Sequence, residues 1–144
     1  MRNRPLISLA AVAVSVTFLL VGALGFVPGI TTSYDELSFA GPDSMAQLLG
    51  LFQVSVLHNL VHVLFGVVGL VMARTASGAR AFLLGGGVVY LLLALYGVVI
   101  DLDSAANFVP LDVADNVLHV GLGVGMLGLG LVLGQRSRST STAR

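Results

Sequence analysis

The sequence predicts an all-α fold: a four-helix transmembrane bundle made of two similar helical hairpins, with both termini cytoplasmic. Three observations predict it. First, 56% of the 144 residues are hydrophobic and only 10% are charged, against roughly 25% charged in an average soluble domain. So few charges cannot cover a globule in water, but they suit a bundle solvated by lipid. Second, the apolar residues fall into four runs, each long enough to cross a hydrocarbon core of about 30 Å. Third, the charges segregate. Arg2, Arg4, Arg74, Arg80, Arg136, Arg138 and Arg144 occupy the two ends and the middle connection, whereas Asp35, Glu36, Asp43, Asp101, Asp103, Asp112 and Asp115 occupy the other two connections. Arginine near the end of a span holds that end in the cytoplasm, and acids contribute little to orientation.

The first run covers residues 6–27, roughly 33 Å of helix at about 1.5 Å per residue. It is long for a secretory leader and lacks a small-x-small cleavage site after it. Pro28-Gly29 stops it. Ser44, with Gln47 three residues on, forms a capping-box pattern that predicts a second helix over 46–73, with its first turns in the interface or the helix tilted. Arg74–Arg80, centred on Ser77-Gly78, reads as a tight turn. The third span covers 81–100 and the fourth 113–134, the latter with Asp112 as N-cap and Asp115 in the first turn. These spans make one domain over residues 1–134. Residues 135–144, rich in Ser, Thr and Arg, read as a disordered cytoplasmic tail.

Several function classes fall away. Cysteine is absent, which removes disulfides, thiolate metal sites and cysteine nucleophiles. The few, scattered basic residues give no nucleic-acid footprint. No Ser-His-Asp order, phosphate loop, catalytic carboxylate pair or tight metal-ligand spacing can be assembled, so enzyme activity has little support and no metal site is assigned. Asp101, Asp103 and Asn107 lack the central glycine and final glutamate of a calcium loop and read as solvated caps. Tyr34, Tyr90 and Tyr96 read as interfacial anchors or helix-packing residues.

An internal repeat is visible. Asn59-x-x-His62 followed by Gly66 matches Asn116-x-x-His119 followed by Gly123, and Phe18–Gly25 aligns with Tyr90–Gly97. Both halves start on the same side, so they read as parallel repeats about an axis along the membrane normal. The uncommon polar groups of the spans are His58, Asn59, His62, Asn116 and His119, and ionisable groups at that depth are functional candidates. Their plainest reading is a buried polar network that fixes helix pairing through Asn and His hydrogen bonds. A second reading makes them cofactor-binding residues. His62 and His119, with His58 secondary, would hold a b-type haem or a quinone, and Gly66, Gly69, Gly121 and Gly123 would make room for the porphyrin. A third is a small proton or ion path through the three histidines. Gly121-x-x-x-Gly125 and Gly130-x-x-x-Gly134 suit close helix approach, within the bundle or to a second copy.

Leu24–Thr32 with Tyr34-Asp35, Phe52–Asn59 with His62, and Ser104–Pro110 with Ala114–Asn116 and His119 carry a resemblance over roughly residues 6–134. On these stretches the chain resembles an actinobacterial family of small four-span membrane proteins, the domain of unknown function 4383. The resemblance implies an integral membrane protein of the actinobacterial cell envelope, and the expected location is the bacterial plasma membrane, crossed several times. It carries over no catalytic residue, substrate or cofactor. The expected partners are membrane lipids, and either itself or another membrane protein.

Overall fold

A computed structural model describes residues 5–142, with side chains as far as Gln135. The side chains of Arg2, Arg4, Arg136, Arg138 and Arg144, on which the expected sidedness leans, lie outside the described residues. The fold is mostly helical, with α1 at Leu6–Leu24, α2 at Val56–Met72, α3 at Ala76–Val99 and α4 at Val113–Thr142. α1, α3 and α4 (over Val113–Gln135) are long and apolar enough to cross a membrane. α2 is apolar but has 17 residues, about 26 Å of helix. Leu20, Leu64, Leu92 and Val117 are exposed on the outside of the bundle, as expected where lipid replaces water.

The buried stripes of α1 and α2 recur at helical spacing, with Ile7, Ala11, Ser15, Phe18 and Gly22 on one and His58, His62, Gly66 and Gly69 on the other. Small residues on these stripes let backbones approach, which is how helices associate when lipid removes the hydrophobic drive. α1 packs chiefly on α2, and α3 on α4. Aromatic rings close the centre. Phe18 stacks on Tyr90 at 5.2 Å, Phe65 meets Phe18 edge-on at 5.0 Å, and Phe82 lies 5.1 Å from Phe65. Tyr90 is therefore a packing residue of the core.

The predicted second helix starts far too early. Residues 46–53 are not helical: β2 (Gln47–Leu48) pairs antiparallel with both β1 (Thr31–Thr32) and β3 (Phe52–Gln53). Leu49 and Gly50 both have positive φ, 57° and 67°, within the three-residue loop 49–51 that joins the paired Leu48 and Phe52, and a right-handed helix cannot contain such a pair. Ser44 does not cap. Its buried hydroxyl donates to the Val54 carbonyl at 2.6 Å and accepts from the Ser38 N–H at 3.1 Å. The true N-cap is Ser55, which accepts from the His58 N–H at 3.1 Å. The 74–80 turn is also shorter than predicted. Thr75 accepts from the Gly78 N–H at 3.0 Å and caps α3, so residues 76–80 are already helix. α1 ends at Leu24, ahead of the predicted 27, and α4 runs past the predicted boundary at 134.

The loop between α3 and α4 is ordered from within. Asn107 is buried rather than a solvated cap: its amide donates to the Leu102 and Leu111 carbonyls at 2.9 and 3.0 Å and accepts from the Leu111 N–H at 2.9 Å. The Tyr96 hydroxyl donates to the Ala106 carbonyl. The sheet and this loop meet where the Gln53 N–H donates to Asp112 Oδ2 at 3.2 Å. Together they form a roof over one end of the bundle, called here the loop end.

Candidate functional site: a polar cavity at the loop end

Two helices open onto this roof with matching starts. Ser55 caps α2, while Asp112 caps α4 by accepting from the Asp115 N–H at 2.7 Å; Asp115 Oδ2 accepts in return from the Asp112 N–H at 3.3 Å. This reciprocal box satisfies the helix's orphan donors and turns Asp115 inward, where it is 2% exposed. The repeat thus extends beyond its sequence motif. Ser55 corresponds to Asp112, His58 to Asp115, Asn59 to Asn116, His62 to His119 and Gly66 to Gly123.

The contacts repeat as well. Phe18 lies 5.7 Å from His62, and its counterpart Tyr90 lies 5.1 Å from His119. A Cβ on Gly66 would come 2.7 Å from Leu19 Cγ, and one on Gly123 would come 2.7 Å from Leu91 Cγ. A Cβ on Gly25 would overlap the Asn59 side chain, and one on Gly97 the Asn116 side chain. Each asparagine is therefore packed over a glycine at the C-terminal end of the preceding helix, Gly25 just past α1 and Gly97 in the last turn of α3.

That packing changes the picture of the polar residues. His58, Asn59, His62 and His119 are buried and Asn116 is half-buried. No hydrogen bond joins any two of the five side chains, so the expected cross-helix Asn–His pairing does not form. The Asn59 amide oxygen and nitrogen have no hydrogen-bond partner in the protein, although the side chain is packed against Gly25. His62 Nδ1 donates to the carbonyl of His58, one turn earlier on its own helix, at 3.0 Å, which leaves Nε2 as the acceptor of the neutral ring. The His58 and His62 rings stack at 4.5 Å, nearly parallel at 5°.

His58, His62, His119 and Asp115 line a cavity of ≈ 90 Å³, walled by Val21, Leu48, Leu49, Phe52, Val54 and Leu118. His58 Nδ1 and His119 Nδ1 have no hydrogen-bond partner in the protein. Asp115 was not legible as a cavity residue from its place in a first turn. The available signal was its spacing of four from His119, the same spacing that joins His58 to His62.

A porphyrin does not fit here. Ligand pockets run from about 300 Å³ upward, and Gly66, Gly69 and Gly123 are already filled by neighbouring side chains and backbone. Nor do the imidazoles and carboxylates of the described residues group in a way that could hold a metal ion.

The family model for the domain of unknown function DUF4383 matches residues 8–132. The chain belongs to this family. All the stretches that carry the sequence resemblance fall inside the matched region, including both copies of Asn-x-x-His. No curated protein and no solved structure matches the chain.

Proposed function

We propose that this chain is a small structural or interaction protein of the bacterial plasma membrane, crossing it four times with both termini in the cytoplasm. The loop end would then face outward. The observation that carries this reading is the filled centre of the bundle. Phe18, Phe65, Phe82 and Tyr90 pack ring against ring between the two halves, and Met126, Leu83 and Ala11 are buried beside them. A centre closed in this way favours a component that holds its shape in lipid over one that passes ions or seats a large cofactor. The charge segregation supports the four-span topology. With 17 residues, α2 can complete the fourth crossing where the bilayer thins locally.

The absence of cysteine makes the topology directly testable. Single cysteines at Asp43 and Ser77 are expected to react with an impermeant maleimide from outside and inside respectively. Reversal of either, in intact cells, refutes the topology. For the role, proteoliposomes loaded with a pH dye are expected to show no flux beyond that of empty vesicles, and purified protein no Soret band. Flux or colour that His62→Ala abolishes would replace the structural reading with a transport or redox one.

A further inference from the structure

We propose that the cavity under the hairpin roof is a hydrated proton-exchange site, in which ordered water links the Asp115 carboxyl to the imidazoles of His58 and His119. The site is built. His58 is 4% exposed, His119 3% and Asp115 2%, and all three line one cavity of ≈ 90 Å³. That volume suits roughly three water molecules at about 30 Å³ each. Both imidazoles keep an unpartnered Nδ1, and buried polar groups are nearly always paired with protein or with water. A dry cavity would have apolar walls only; this one combines apolar walls with four polar residues, enough for each water to find the two to four partners it needs.

The repeat shows why protons in particular belong here. His58 and Asp115 are counterparts, so the two halves present a base on one side and an acid on the other. Water between them lets a carboxyl O–H break as a water O–H forms, while that water's own proton passes to an imidazole nitrogen. The carboxylic acid and neutral imidazole become a carboxylate and an imidazolium with no change in net charge. The groups facing the exchange are His58 and His62 from α2, Tyr90 from α3, and Asp112, Asp115 and His119 from α4; α1 and the hairpin bring Val21, Phe18, Leu48 and Val54, none of which titrates. The rim lies at Leu49 and Leu118, both exposed, and the stacked rings close the way further in. The site therefore exchanges with the loop face past Leu49 of the hairpin.

The test uses full-length protein in nanodiscs with histidines labelled in nitrogen-15. His58 and His119 are expected to show magnetisation transfer from bound water, and the His58 signal is expected to titrate differently in Asp115→Asn than in the wild type. Asp115→Glu should restore the wild-type profile. Should Asp115→Asn fail to fold, Leu118→Phe at the rim supplies the second readout, since its larger ring is expected to fill the cavity and remove the water transfer at both histidines. Histidines that show no water contact in the wild type would overturn the proposal, as would a His58 titration identical with and without the Asp115 carboxyl.

Discussion

Gly25→Ala would set a methyl group into the space held by the Asn59 amide, with its Cβ 2.6 Å from Nδ2 and closer still to the other amide atoms. Gly25 has a helical φ of −60°, so alanine meets no backbone strain and the whole cost is packing. Overpacking a fixed site costs typically 1–3 kcal/mol. The upper end applies, because Asn59 is fully buried in α2 and has nowhere to swing. About 3 kcal/mol corresponds to a fall of roughly 10 °C in melting temperature for a chain of this size. Gly97→Ala meets the same overlap with Asn116, but it lies inside α3, where replacing glycine recovers about 0.5–1 kcal/mol. Its net cost should be nearer 2 kcal/mol. Asn59→Ala removes the obstruction, so Gly25→Ala combined with Asn59→Ala should recover most of the loss, a coupling of about 2 kcal/mol. Thermal unfolding in one mild detergent, followed by circular dichroism, measures all four corners of each cycle. Additive losses at both pairs, with coupling under about 0.5 kcal/mol, would refute the claim that each asparagine is seated on its glycine.

Other expectations follow from single contacts. Ser55→Ala should cost about 1 kcal/mol through loss of the α2 cap, whereas Gln47→Ala should leave α2 intact; equal losses in helical signal would restore the earlier helix start. Leu49→Gly should raise the melting temperature by about 1 kcal/mol equivalent, because leucine pays for its left-handed conformation at φ 57°; a lower melting point would contradict the hairpin turn. Asn107→Ala removes three hydrogen bonds inside a buried loop and should cost roughly 2–3 kcal/mol. Limited proteolysis should then cut between residues 100 and 112 sooner than in the wild type, and an unchanged cutting rate would count against that role.

The helices were legible because hydropathy and helix length are set by the solvent, and lipid leaves few alternatives. The hairpin was not, because Leu49 gives no sign of positive φ and Ser44-x-x-Gln47 fits the capping-box pattern, which Ser55-x-x-His58 does not. The decision between them came from tertiary contacts, since Ser44 finds better partners in Val54 and Ser38. The polar motif was legible as a repeat through Asn59, His62, Asn116 and His119. Its meaning was not: the sequence suggests that asparagine reaches for histidine, whereas the fold sets it against Gly25 or Gly97. Asp115 was hidden for a related reason. A first-turn acid normally faces solvent, and only its reciprocal bond with Asp112 and the roof above draws it under cover.

The His58 and Asp115 counterparts have a consequence for how such a bundle could have arisen. Two separate copies of the first half, assembled about a two-fold axis, would confront imidazole with imidazole. Two copies of the second would bring carboxylates together, which repel or must take up a proton. A symmetric pair of identical units cannot place one of each across the same gap, so it is the divergence of the two halves, carried here on one polypeptide, that makes the chamber chemically lopsided.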